Sequence, residues 1–429
     1  MAQGGACVGY GFSLGDIAFL DSAAGRAALD RVDQLTLTPA SLLGDLERVR
    51  RDHGDRAAAL VETVRLRRRA VVKLDGAGEW LFTDDALQQA TPSVVARHRA
   101  GRLSGRTVHD VTCSIGAELA ALQEFCPAVI GSDLDEIRLV MAGHNLGIAH
   151  PASRSGVGSA RNMVLVRADA LVPCSSAEVV IADPARRADG RRTHDPAKLQ
   201  PPLPELLEAY RGRDLVVKCA PGLDFDRLGA SGAPGGSRGW DGEVEVVSLD
   251  GSVREACLWS RGVAEPGVTR RATVLRSGGA SWALTDAAPD EIPERVPGDW
   301  IIDPDGAIVR AGLVRHYAAK YGLWQLDPRI AYLTGDTVPA GVRGFRVLDR
   351  LAFKEKPLRA ELHRRDCGPL EILTRGVDVD PDALRTRLKP RGAIPHTLVI
   401  TRIGTTPTAF LCATPPAHRS DTAQPASPP

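Results

Sequence analysis

No run of about eighteen apolar residues occurs in this 429-residue chain, so no membrane-spanning helix is expected. The opening stretch, MAQGGACVGYGFSLGD, has neither a charged leader nor a long apolar segment, so no signal peptide is expected. Eight cysteines, at 7, 113, 126, 174, 219, 257, 367 and 412, show no C-x-x-C spacing. That argues against a structural zinc site, predicts no metal, and suits reduced thiols in a cytoplasm. The net charge is only +1, so bulk electrostatics does not announce a nucleic-acid binder. Lysine is scarce, with seven among 54 basic residues, so a lysine carries more information here than an arginine. Also missing are the G-x-G-x-x-G set and a Gly-Lys-Ser/Thr ending, which disfavours a loop that cradles phosphate.

What is present divides the chain. Residues 1–100 read as a helical region, in which Thr91-Pro92 offers a hydroxyl N-cap followed by proline at the first helical position. Across 101–262, short β-branched runs alternate with helical stretches: TVHDVTC, AVIGSD, NMVLVRADA, EVVIADPA and DLVVKCA. Such alternation predicts parallel strands with crossover helices. VEVVSLD and REACLW, separated by Gly251, then predict a closing hairpin. Seven strands ending this way describe an α/β, Rossmann-like class I methyltransferase sheet better than a dinucleotide-binding dehydrogenase. Two long loops, 151–161 and 221–242, interrupt it, and the second reads equally as a lid or as a surface insertion. Residues 263–342 form a connecting region, with a small ferredoxin-like α+β unit as one reading. Residues 343–413 predict a compact α+β domain, with helices from Pro357 and after Pro381. The tail 414–429 is small, polar and proline-rich, and is expected to be disordered.

Ligands of open α/β sheets lie beyond the carboxyl ends of the strands. There the chain places Asp110, then the loop VTCSIGA, in which Thr112 and Ser114 stand where nucleotide loops carry glycine and only Gly116 remains. S-adenosylmethionine has no phosphate and tolerates such a loop. Asp110 suits its amino group, Asp133 of VIGSDLD its ribose hydroxyls, and Asp169 of VRADAL its adenine amine, while Asp135 suits the cap of the next helix. Each acid alone is an ordinary strand-end residue; three in this order point to the cofactor.

The fourth strand ends in Asp183-Pro184, the position from which amino-directed methyltransferases hold a target amine, although Ala185 and Arg186 replace a second proline and an aromatic. Arg186 and Arg187 suit a phosphate or carboxylate, or simply a solvated helix start. Lys218, closing the fifth strand, calls for an anionic partner. Cys219 beside it reads as a pyrimidine-directed nucleophile or, more readily, as a buried structural cysteine.

Taken together, LRRRA (66–70), WLFTDDALQQATPSVVARHRA (80–100), DVTCSIG, ADPARR-x-x-GRR (182–192), VKCAPG (217–222), VVSLDG (246–251), IIDPDGAIVRAGL (301–313) and RGVDVDPDALRTRLKPRG (375–392) carry a resemblance. From about Leu60 to Ala413 the chain resembles bacterial class I S-adenosylmethionine-dependent methyltransferases with a C-terminal THUMP-like domain. The resemblance implies cofactor binding by Asp110, Gly116 and Asp133, with Gln89 and Thr91 added; Ser114, where the family's loop is richer in glycine, is expected to face the cofactor as part of that loop. It also implies an RNA-related role, with tRNA or rRNA as partner. Residues 343–402 hold fourteen Arg or Lys against eight Asp or Glu, including Lys354, Lys356 and Lys389. That excess suits RNA, and suits a solvated face nearly as well. The alternatives to RNA methylation are a protein or small-molecule methyltransferase and a non-catalytic RNA-binding protein on the same fold.

Overall fold

The computed structural model describes residues 9–147, 162–185, 187–188, 191–192, 195–225, 240–340 and 342–414. The 151–161 loop, Arg186, most of the 221–242 loop and nearly all of the C-terminal tail lie outside these residues. The chain divides into two compact units. One is Met1–Leu249 with Glu255–Pro266 and Ser277–Ala280; the other is Asp250–Arg254 with Gly267–Arg276 and Ser281–Pro429.

The first unit opens with helices α1 (Leu14–Asp21), α2 (Ala23–Asp33), α3 (Leu42–His53) and α4 (Ala57–Ala70). Helix α1 starts at a capping box: the Asp16 amide donates to Ser13 Oγ and the Ser13 amide to Asp16 Oδ2, at 3.1 and 2.9 Å. Ile17, Leu20, Leu29, Val32, Leu60 and Leu66 bury the inner faces of these helices in one apolar cluster. Two further helices follow, α5 (Asp84–Gln89) and α6 (Ser93–Arg102). Thr91 does not cap α6. The N-cap is Pro92 with no side-chain cap bond, because the Thr91 hydroxyl is engaged elsewhere, as described below.

The expected sheet follows: β1 (Thr107–Asp110), β2 (Ala128–Asp133), β3 (Asn162–Arg167), β4 (Val179–Ala182), β5 (Asp214–Cys219), β6 (Gly242–Leu249) and β7 (Ser252–Ser260). Their order is β3-β2-β1-β4-β5-β7-β6, parallel through β5 with β7 antiparallel to it. Val179–Ala182 is buried along its whole length, which is why β4 reads as an unbroken apolar run. The turn from β6 to β7 passes through Asp250 and Gly251, both with positive φ (51° and 77°), as a two-residue hairpin of matching twist requires. Crossover helices α7 (Ala117–Phe125), α8 (Glu136–Asn145) and α9 (Leu203–Ala209) complete the unit. Asp135 caps α8 as expected, accepting from the Arg138 amide at 3.1 Å.

In the second unit a hairpin, β8 (Arg270–Leu275) with β9 (Ser281–Thr285), precedes a seven-stranded sheet. Its strands are β10 (Trp300–Ile302), β11 (Trp324–Asp327), β12 (Ile330–Gly335), β13 (Gly344–Ala352), β14 (Cys367–Arg375), β15 (Ile394–Ile403) and β16 (Thr406–Ala413). They run in the order β11-β12-β10-β13-β16-β15-β14, so strands from 300–335 share one sheet with those from 344–413. Only β14 and β15 pair in parallel. Helices α10 (Gly306–Ala311) and α11 (Val314–Tyr321) lie between β10 and β11 in the chain, α12 (Glu355–Arg364) and α13 (Pro381–Leu388) between the later strands. Leu358, Leu362, Leu384 and Leu388 are fully buried in the cluster with Leu398 and Ile400, each contributing about 1.5–3 kcal/mol. No described helix is long and apolar enough to cross a membrane.

Candidate active site at the carboxyl edge of the parallel strands

Strand β1 ends in Asp110, and the loop that follows is built around two left-handed residues, Ser114 (φ 49°) and Gly116 (φ 84°). Serine in that conformation costs about 1 kcal/mol. Its amide, however, is thereby aimed at Asp133 Oδ2, 3.0 Å away at the tip of β2. Thr112 is a fastener: its hydroxyl accepts the Asp183 amide at 2.7 Å and lies 3.4 Å from Asp110 Oδ1. Gly116 does not border the cavity described next. A Cβ there would come within 2.9 Å of Leu146 and 3.3 Å of Ala142, so glycine serves the left-handed turn and the approach of α8.

Beyond the strand tips lies a cavity of about 850 Å³. Asp110, Ser114, Asp133 and Asp169 border it, as do Gln89 and Thr91. Asp183 and Lys218 border it too, whereas Pro184 is buried outside the lining. Asp110 is buried, accepts the Thr112 amide at 3.0 Å, and has its pKa pushed up to about 8 by burial and by Glu118, Asp183 and Asp133 nearby. Asp133 also accepts the Asp135 amide at 2.9 Å, and the exposed Asp169 accepts the Leu171 amide at 2.9 Å. Of Arg187 only the backbone is described. Lys354, Lys356 and Lys389 are exposed in the second unit, on or beside α12 and α13.

The anionic partner that Lys218 calls for is supplied by the protein itself. Nζ donates to Asp183 Oδ2 at 2.6 Å, Thr91 Oγ1 at 2.9 Å and the Gln89 carbonyl at 3.4 Å, occupying all three ammonium donors. Burial works to remove the proton, but Asp183 and then Glu255 outweigh it, so the pKa lies above the ordinary lysine value. Thr91 and Gln89 thus face the cavity as acceptors for Lys218.

Three charged residues at this end were not picked out from the sequence: Arg99, Glu118 and Glu255. Arg99 is 3% exposed; its guanidinium donates to Glu118 Oε2 at 2.6 Å and to Glu255 Oε1. Glu118 Oε1 is buried and has no hydrogen-bond partner, and burial raises the pKa of this carboxyl despite Arg99. Their sequence signal is a charge inside an apolar stripe: on α6 the buried positions are Val95, Ala96, Arg99 and Ala100. Alongside, Arg102 bonds the buried Glu243 and Glu245 at 2.8 and 2.7 Å and stacks on Trp259, 3.7 Å from the ring centroid. Cys219 is buried on β5 outside the cavity lining. Among the described residues no cluster of His, Cys, Asp and Glu is placed to hold a metal ion.

Comparison with known proteins settles the family. An uncharacterized S-adenosylmethionine-dependent methyltransferase of Mycobacterium tuberculosis, present in two strains, is 54% identical over 369 residues. The alignment spans 84% of this chain and 98% of the relative. The chain belongs to the S-adenosylmethionine-dependent methyltransferases. A family model described as THUMP domain-like matches residues 342–414 of this methyltransferase, and a domain of unknown function (DUF8688) matches 13–70. The fold is shared with a crystal structure from Porphyromonas gingivalis W83, named a "putative methyltransferase". It has a TM-score of 0.66 at 18% identity, covering 94% of this chain and 99% of that one.

The site fits the family's cofactor. Four carboxylates, Asp110, Glu118, Asp133 and Asp183, converge closely enough that the other three raise the pKa of Asp110. Ser114 Oγ and Glu118 Oε1 are buried without partners beside the same cavity. Unbonded carboxyl and hydroxyl oxygens of this kind suit a ligand that brings cationic and hydroxyl donors.

Proposed function

We propose that this methyltransferase modifies a nucleotide of a structured RNA, a tRNA or rRNA. The observation that carries the chemistry is Asp183. Its Oδ2 is fixed by Lys218, its backbone amide is fixed by Thr112, and its side chain stays 40% exposed at the cavity edge. When bound, S-adenosylmethionine supplies a methyl group on a sulfonium, already a good leaving group.

The protein's share is then alignment. Asp133 takes the ribose hydroxyls, Asp169 the adenine amine, and Asp110 with the Ser114 loop the methionyl end. Asp183, with Pro184 stiffening the chain after it, accepts a hydrogen bond from the target and turns its lone pair toward the methyl. An acceptor already paired with a lysine suits a neutral amine, which sheds its proton after transfer, better than a hydroxyl that must lose it first. The position of Cys219 gives no support to a covalent route. Arg186 and Arg187, which follow Asp183-Pro184-Ala185 in the chain, are assigned to the RNA phosphates near the target. Lys354, Lys356 and Lys389 are assigned to phosphates farther along. The THUMP-like match and the exposure of these lysines support the RNA half of the reading.

Nucleoside mass spectrometry of total RNA with and without the gene tests it. One methylated nucleoside should disappear on deletion and return with the wild-type gene but not with Asp183→Ala. An unchanged nucleoside profile, with labelled methyl groups entering the protein fraction instead, would overturn the RNA assignment. RNA affinity should also fall with salt, with a slope of about −0.7 to −0.9 per neutralised phosphate.

A further inference from the structure

Strand order places the four tip acids in a line: Asp169 just past β3, Asp133 at the end of β2, Asp110 at the end of β1 and Asp183 just past β4. Within the cofactor reading above, that line runs from adenine through ribose to the methionyl end and then to the target. Glu118, in the first turn of α7, belongs to the β1–β4 end, where it interacts electrostatically with both Asp110 and Lys218. It borders the cavity and is about nine-tenths buried, with Oε2 held by Arg99 and Oε1 bonded to nothing. A buried carboxyl oxygen left unbonded destabilises the fold unless a ligand brings it a donor. At the methionyl end the cofactor offers one cationic donor, the α-ammonium, since the sulfonium carries no N–H or O–H.

We infer that Glu118 Oε1 is the acceptor for the α-ammonium of the cofactor, with Arg99 as the residue that positions it. Arg99 is itself pinned by Glu255 from β7, so Glu118 cannot rotate toward Asp110 or out to solvent without breaking a buried ion pair. Ammonium selection is thereby moved off the strand tip and onto the helix that follows.

The test compares two probes by calorimetry on the full chain. S-adenosylhomocysteine carries the amino-acid end, and 5′-methylthioadenosine lacks it. Glu118→Gln should weaken S-adenosylhomocysteine binding by about tenfold or more while changing 5′-methylthioadenosine binding less than about twofold. Glu118→Asp, which keeps the charge and shortens its reach, should show a smaller loss for S-adenosylhomocysteine alone, and it carries the comparison if the glutamine variant does not fold. Equal losses for both probes would make Glu118 a structural residue and overturn the inference. Unchanged binding of S-adenosylhomocysteine by Glu118→Gln would also overturn it, because a carboxyl replaceable by an amide is not acting as an ammonium acceptor. If the wild-type protein binds neither probe, the cofactor assignment fails first and this inference falls with it. Binding of both by wild type confines any failure to Glu118.

Discussion

The two halves of the cavity are held in different ways. On the β1–β3 side, Asp110, Asp133 and Asp169 are fixed by backbone amides of their own or neighbouring loops: Thr112, Ser114, Asp135 and Leu171. On the β4–β7 side, Asp183, Lys218, Glu118, Arg99 and Glu255 are fixed by one another, from a loop, two strands and two helices. The first half is encoded by residues close in sequence, while the second exists only once α6, α7, β5 and β7 have packed. Local amide cradles survive small rearrangements. A buried ion network does not, because each member left alone is an uncompensated charge.

The difference can be broken most severely at Arg99. Arg99→Leu strands Glu118 and Glu255, and should cost about 3–5 kcal/mol in denaturant unfolding. A loss below about 1 kcal/mol would show that the network is not what holds this half together. Next comes the division of labour between the halves. Asp183→Ala should cut the transfer rate by about a hundredfold or more with S-adenosylhomocysteine affinity nearly intact. Asp133→Ala should do the opposite, raising the Kd by about tenfold. Parallel losses in both variants would erase the distinction.

A smaller effect concerns protons. With its pKa near 8 in the ligand-free cavity, Asp110 is mostly protonated at pH 7, and a cationic ligand lowers that value. Cofactor binding at pH 7 should therefore release up to about one proton and tighten as pH rises from 6 toward 8. Calorimetry in buffers of different ionisation enthalpy reads the proton count, and an uptake would reverse the assignment. The smallest effect is expected at Ser114. Ser114→Gly relieves about 1 kcal/mol of left-handed strain but adds a similar entropy to the unfolded chain. Stability should stay within about 0.5 kcal/mol of wild type. A large change would mean the serine hydroxyl has a partner of its own.

These contrasts track what could be read from the sequence. The sheet, its closing hairpin and the places of Asp110, Asp133 and Asp169 at the strand tips were legible because each rests on a local pattern: β-branched runs, an Asp-Gly turn, an acid at a strand end. Lys218 was legible only as proximity to a cleft, and Gln89 and Thr91 only through the family resemblance, since nothing in VVKCAPG says that the partner of the lysine is Asp183, 35 residues earlier. Arg99 and Glu255 lie 156 residues apart, and no spacing rule joins them. Thr112 looked like a tolerated loss of glycine, because the bond it makes leads to another strand.

That threonine links the two halves. One hydroxyl contacts the carboxylate at one tip and the peptide N–H of the next, so a shift of the first transmits to the second over a single side chain. A glycine-rich loop would leave the two ends to settle independently. Here the carboxylate of one tip and the peptide of its neighbour share a single hydroxyl, so the spacing between them is set by one side chain.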